Sequence, residues 1–301
     1  MIVWATLALL ATLAVGAWFV AWLDALAPAL SGGRVGGPLA AVRAGAARLV
    51  TQRITTEAPD EMNWRLAPIL YLALAAVGLS VVPLVPGVPL VETPVGIVVW
   101  GSCEALTIMA VFLHGWSPNS PFPLIGAYRY AAIGLPVMLP SMFVLIAAAL
   151  PAESLSISRI VASQSELWNV VRQPLGLPLF LLVGLTLTLR GPFDYADGAD
   201  LGGGTSAEDS GAGAALWQFA RLAMLVSFSA MAAAVFLGGP LGPWLPGLVW
   251  MWLKTAAIAA LTIAAGQAIA RPTPGRMLTL LWIVALPLSF IHLAIAGVVS
   301  L

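Results

Sequence analysis

Residues 95–114 read VGIVVWGSCEALTIMAVFLH, twenty residues with no Lys or Arg and a single carboxylate, Glu104. A hydrocarbon layer demands about 20 apolar residues per helical crossing, because backbone N–H and C=O groups left unpaired in lipid are costly. The stretch meets that demand. Working outward from it, seven other runs do the same, so that the spans fall at roughly 2–23, 66–85, 95–114, 130–150, 174–189, 214–237, 247–268 and 277–299. The chain therefore reads as an all-α integral membrane protein of about eight transmembrane helices, with residues 1–301 forming one membrane domain. The fifth run is short and flanked by Gly and Pro, and the fourth contains Pro136 and Pro140, so both are expected to be bent or interrupted.

Composition agrees. Sixty per cent of the residues are hydrophobic, nine per cent are charged and the mean hydropathy is +0.98, whereas a soluble domain carries roughly 25% charge. Thirteen basic residues balance thirteen acidic ones, which leaves no polycation to bind nucleic acid. The only cysteine, Cys103, lies in an apolar run. An internal disulfide and a CxxC-type zinc or iron–sulfur site are thereby excluded, and no metal site is expected. If electrons move here, another chain carries the clusters. The run 2–23 has no basic leader and continues into Asp24, so it is expected to be retained as a helix rather than cleaved as a signal peptide.

Short cytoplasmic loops retain Lys and Arg. The first, third, fifth and seventh loops hold Arg34, Arg43, Arg48, Arg53, Arg65, Arg129, Arg190, Arg271 and Arg276, while the others hold Arg159 and Arg172. Nine against two places both termini of a multi-pass plasma (inner) membrane protein on the non-cytoplasmic side. In the first cytoplasmic loop, 24–65, Leu39, Val42, Ala46 and Leu49 recur at spacings of three and four behind Gly36-Gly37-Pro38, the pattern of a short amphipathic helix along the membrane face. The other long cytoplasmic segment, 190–213, is rich in Gly and Asp and reads as a flexible polar loop.

Charge inside a span needs a partner or a water-filled route. Glu104, Arg221 and Lys254 meet this description and together form the candidate intramembrane polar path, with Glu104 and Lys254 at depths that would let them pair. Snorkelling of the two cations and a hydrogen-bonded Glu104 are the plainer alternative. Asp24 reads as interfacial, and His114 and His292 as isolated. Most of the twelve tryptophans, among them Trp4, Trp18, Trp22, Trp64, Trp100, Trp116, Trp244 and Trp250, fall near span ends as an aromatic belt. Gly202-Gly203-Gly204 lacks the strand and GK[ST] context of a phosphate loop.

Several segments also resemble a known family. Gly115-Trp116-Ser117-Pro118-Asn119-Ser120 with Leu124-Ile125-Gly126-Ala127-Tyr128-Arg129 is similar to its GWSSNSKYALLGALR loop. Arg190-Gly191-Pro192-Phe193-Asp194 is similar to RAPFD, and Glu208-Asp209-Ser210-Gly211 to EYSG. Gln173-Pro174-Leu175-Gly176, Phe236-Leu237-Gly238-Gly239 and Lys254-Thr255 add support. In order and spacing, over roughly residues 20–300, they resemble subunit 1 of respiratory complex I (the H subunit of NADH-quinone oxidoreductase) and the related membrane subunit of group 4 nickel–iron hydrogenases of the formate hydrogenlyase type.

That resemblance implies a membrane-anchor subunit of an oxidoreductase linked to proton translocation, not catalytic alone. It implies iron–sulfur and large catalytic subunits of a cytoplasmic arm and antiporter-like membrane subunits as partners, with a quinone at the interface. By position, Arg34, Arg190, Asp194 and Asp197 become the quinone-tunnel and coupling candidates, and Lys254 joins the central polar axis. Met138, Leu187 and Arg221 stand where the family carries acids, so Glu104 would have to replace them or coupling would be weak or differently routed. Rival functions are a stand-alone ion-coupled secondary transporter built on Glu104 and Lys254, and an assembly anchor that has lost its coupling acids.

Overall fold

The structure, a computed structural model, describes residues 2–28, 33, 36–85 and 88–300. In chain order its helices are α1 (Ile2–Leu26), α2 (Ala40–Val50), α3 (Glu61–Ser80), α4 (Gly96–Trp116), α5 (Pro121–Ala149), α6 (Ile157–Ala162), α7 (Asn169–Arg172), α8 (Gly176–Leu187), α9 (Gly211–Phe236), α10 (Gly247–Ala268), α11 (Pro274–Leu280) and α12 (Leu286–Ser300). Two short antiparallel strands, β1 (Pro83–Val85) and β2 (Val88–Pro89), follow α3. Seven helical stretches among the described residues are long and apolar enough to cross a membrane: α1, α3, α4, α5, α9, α10 and the run from α11 through α12.

A helix apolar on every side belongs inside a bundle, and α9 is that helix: each residue from Leu222 to Phe236 is buried. Helices α1, α2, α3 and α10 pack around it, and α4 and α5 extend the bundle beyond α3. The opening stretch of sequence explains its own placement. Ile97, Trp100, Glu104, Thr107, Val111 and His114 recur every three or four residues along α4, and all are buried, so one stripe faces the bundle while Val98, Leu106 and Met109 stay exposed toward lipid.

Helix ends depart from the apolar runs for identifiable reasons. α3 begins at Glu61 because Asp60 caps it, accepting a hydrogen bond from the Asn63 backbone N–H at 3.1 Å. α5 begins at Pro121, a residue suited to a first helical turn, and runs unbroken past Pro136 and Pro140, contrary to the interruption those prolines suggest. The last crossing instead carries a π turn over Leu281–Ala285. Pro287 lies just beyond it, and a wider turn relieves the clash of its ring with the preceding turn's carbonyls.

Only 12 residues long, α8 spans about 18 Å, well short of the roughly 30 Å of hydrocarbon. The rest of this fifth expected crossing is irregular backbone sheltered by protein, as Thr188 and Leu189 are buried. Its freed carbonyls have partners: the Tyr71 hydroxyl donates to Leu187 O at 2.6 Å and Arg221 donates to Leu189 O at 2.8 Å.

Segment 190–213 is not the flexible loop its composition suggests. It folds through three 3-10 turns, Tyr195–Asp197, Ala199–Leu201 and Gly204–Ser206, with Tyr195, Ala196, Leu201 and Thr205 buried. Gly204 adopts φ +55°, and a Cβ there would meet Ala196 O at 1.8 Å, so the tight return depends on glycine.

Candidate functional site

The end of α8 sets the site's geometry. Leu189 adopts a left-handed conformation with φ +55°, while Leu189 N–H bonds Thr186 O and Arg190 N–H bonds Leu185 O. This paired pattern is a Schellman cap. It reverses the chain and directs Arg190 onto Asp24 at the end of α1, with which it forms an ion pair. Asp24, read as merely interfacial, is thus joined to the RGPFD turn.

Further along the same turn, Asp194 pairs with Arg271. Asp197, 8% exposed, accepts from Thr205 and from Ser206 Oγ at 3.2 Å and pairs with Arg221 at 2.7 Å. Asp200 meets Arg129 at 2.5 Å and Arg271 at 3.8 Å. Four carboxylates (Asp24, Asp194, Asp197, Asp200) therefore face four guanidinium groups (Arg129, Arg190, Arg221, Arg271) at one end of the bundle. The hydrogen bond from Arg129 is the main cause holding the Asp200 carboxyl below its ordinary value. Nearby, Tyr195 donates to Pro272 O at 2.8 Å, and burial pushes its phenol up to about 12.

A second constellation lies beside the start of α9. His114 bonds Asp209 through Nε2 at 3.0 Å and stacks on Trp217, with ring centres 3.8 Å apart. Trp64 donates to the other Asp209 oxygen at 3.4 Å, and Trp217 donates to Ser206 at 3.1 Å. His114 is consequently not isolated. Its partner lies 95 residues away, and the local sequence carries no signal for that pairing beyond the polar Glu208-Asp209-Ser210 run.

Of the sequence candidates, Arg190, Asp194, Asp197 and Arg221 come together in the ion-paired cluster. Arg34 lies outside the described residues. Glu104 sits apart, with Ser141 Oγ donating to both carboxylate oxygens at 2.8 Å. Lys254 donates to the carbonyls of Leu237, Gly239 and Leu241 at 2.6, 2.9 and 2.6 Å and lies over the Trp168 ring at 4.2 Å. Glu104 and Lys254 do not pair: α4 packs on α3 and α5, whereas α10 packs on α9 and α1. Met138 and Leu187 add no titratable group to the core, and Leu187 is fully buried.

Two cavities flank the start of α9. One, of about 350 Å³, lies between α1, α2 and α9, walled by Trp18, Val42, Phe219 and Leu222, with Asp24 and Arg48 also lining it. Trp18 ties α1 to the approach to α2 by donating to Pro38 O at 3.0 Å. The other, of about 360 Å³, is lined by Arg53, Trp64, Asp209 and Leu216. Among the described residues no group of three His, Cys, Asp or Glu is placed to hold a metal ion.

A family model described as NADH dehydrogenase matches residues 4–297. Curated relatives include the first of the NADH-quinone oxidoreductase H subunits of Rhodopseudomonas palustris strain HaA2, 35% identical over 80% of this chain and 76% of its own length. Its counterpart in strain BisA53 is 36% identical over 79% and 75%. The second such H subunit of strain ATCC BAA-98 / CGA009 is 35% identical over 80% and 76%.

Proposed function

This chain belongs to the NADH dehydrogenase family, which it shares with the H subunits of NADH-quinone oxidoreductase, and from that footing we propose that it is the membrane-anchor subunit of a complex I-type oxidoreductase. Its ion-paired face lies in the cytoplasm and holds the electron-transfer arm, with iron–sulfur and catalytic subunits docked there and antiporter-like subunits alongside in the membrane. The observation that carries this reading is the four-by-four cluster of carboxylates and guanidinium groups, which joins α1, the 190–200 turns, α5, α9 and the segment after α10. Arginines concentrated on the loops of this face support the cytoplasmic assignment. Both α1 and α12 have their outer ends at the opposite face, so both termini are assigned outside.

The cavity between α1, α2 and α9 fits a quinone. Its walls are apolar enough for an isoprenoid tail, and Asp24 and Arg48 supply polar contacts for a head group. A bound quinone would supply the two-electron acceptor for the arm. This chain's part is to exclude water, to hold the acceptor with Arg48 and Asp24, and to register charge. Asp24 is paired with Arg190, and Arg221 bridges Leu189 O to Asp197. A charge arriving beside Asp24 would therefore unbalance a cluster that is otherwise neutral, in which α8 and α9 are tied to each other through Arg221. The relatives' names favour a quinone reductase over a hydrogenase, and the separate anchoring of Glu104 and Lys254 disfavours a stand-alone transporter.

Affinity purification of the chain from native membranes is expected to recover iron–sulfur and multispan antiporter-like subunits. Asp194→Asn, which removes the charge facing Arg271, is expected to lower quinone-linked turnover of the assembled complex by at least about tenfold. Recovery of the chain alone, or full turnover in the variant, would reject the proposal.

A further inference from the structure

A third cavity, of about 590 Å³ and larger than the two beside α9, lies at the face opposite the ion-paired cluster, between the end of α5, the start of α8 and α12. It is not part of the site described above. Leu175, Ile295 and Val299 form its apolar wall and are exposed on the outside of the bundle, so the opening faces lipid acyl chains. Glu153 and Arg172 line the same cavity with opposite charges. Glu153 has no ion-pair partner among the described residues, and Arg172 spends one hydrogen bond on Ser163 O at 3.3 Å.

Two more lining side chains are buried and incompletely bonded. Gln173 is 5% exposed and His292 4% exposed. Gln173 Nε2 donates to Ala147 O at 2.8 Å, while Gln173 Oε1 and His292 Nε2 have no hydrogen-bond partner among the described residues. Buried polar atoms without partners are uncommon in folded proteins and call for a ligand or water. An apolar wall, a cation, an anion and a lone acceptor together specify an amphipathic zwitterion.

We propose that the cavity between α5, α8 and α12 binds the head group of a phospholipid bearing a primary ammonium, of the phosphatidylethanolamine class, its phosphate on Arg172 and its ammonium shared by Glu153 and Gln173. Arginine matches phosphate with its planar fork of donors. The primary ammonium has three N–H donors for the carboxylate and the lone amide oxygen, whereas a quaternary ammonium has none. Acyl chains lie along Leu175, Ile295 and Val299. The proposal goes beyond the oxidoreductase role and does not depend on it.

The test is native mass spectrometry of the full-length chain purified in mild detergent and titrated with phosphatidylethanolamine, phosphatidylcholine or phosphatidylglycerol of identical acyl chains. One phosphatidylethanolamine is expected to be retained at least about tenfold more tightly than either of the others. Glu153→Gln is expected to lose that preference, and Arg172→Gln to weaken retention of all three lipids, whose phosphate is common to them. Ala296→Trp, which fills the cavity, is expected to abolish retention; should that variant fail to fold, the Glu153 and Arg172 variants decide alone. Equal retention of the three lipids, a preference unchanged by Glu153→Gln, or retention unchanged by Arg172→Gln overturns the proposal. So does a photo-crosslinker at Ile295 that, in native membranes, reacts with a neighbouring protein and not with lipid.

Discussion

Lys254, a candidate for the intramembrane polar path, caps a helix end. Its three N–H donors meet three backbone carbonyls beyond α9, and two indole rings, Trp168 and Trp250, lie under the charge at 4.2 and 5.4 Å. Removing it leaves buried acceptors unpaired, so Lys254→Met is expected to cost about 3 kcal/mol, read as a lower melting temperature of the detergent-solubilised protein. The Arg129–Asp200 pair behaves differently, because Asp200 is 56% exposed. Its folded carboxyl lies below the ordinary value. The contribution is therefore present above the unfolded value of about 3.9 and is lost as pH falls through the folded one. Arg129→Gln should cost only about 0.5 kcal/mol at neutral pH, and melting curves of variant and parent should converge on acidification below pH ~4.

At the scale of elements, the short helix α8 matters most. A helix that stops inside a bundle leaves carbonyls in a dry interior, and here Tyr71 from α3 and Arg221 from α9 reach them. Tyr71→Phe should thus cost about 1–3 kcal/mol, with protease cleavage appearing first near the 188–200 turns; unchanged stability would show that the Leu187 carbonyl has another partner. The apolar runs and the α2 segment were legible in the sequence because each crossing reports its own composition. The order within 190–210 was not. It depends on Arg129 and Arg221, 71 and 24 residues from their partners Asp200 and Asp197, and a Gly/Asp-rich segment gives no local sign of distant arginines. The first two turns of α5 were hidden for the same reason, since Arg129 reads as loop until Asp200 is placed beside it.

Across the whole molecule, electrostatics are segregated. Every ion pair among the described residues lies at the face where α1, α8 and α10 end and α3, α5 and α9 begin. The opposite face is tied by the Lys254 ammonium and by neutral amides: Gln164 and Asn169 bond the carbonyls of Ala148, Ala234 and Val235, and Gln173 bonds Ala147. A face crowded with paired charge suits a polar docking partner and a site that must register a change of charge. The cluster's membership was partly legible, in Arg190, Asp194 and Asp197; Arg221, expected in an intramembrane path with Glu104 and Lys254, pairs with Asp197. Asp24, Arg271 and the His114–Asp209 pair emerged only from the packing of distant segments.

Cysteine labelling in sealed membrane vesicles of known orientation bears most directly on the docking face. Ala199 is exposed at the ion-paired face, Trp244 is 99% exposed at the other, and the native Cys103 is buried. With an impermeant maleimide, Ala199→Cys is predicted to be protected in the intact complex and labelled from the cytoplasmic side once the arm is stripped away, whereas Trp244→Cys is labelled only from outside. Labelling of Ala199→Cys from the outer side, or at an equal rate with the arm in place, would contradict both the orientation and the docking role.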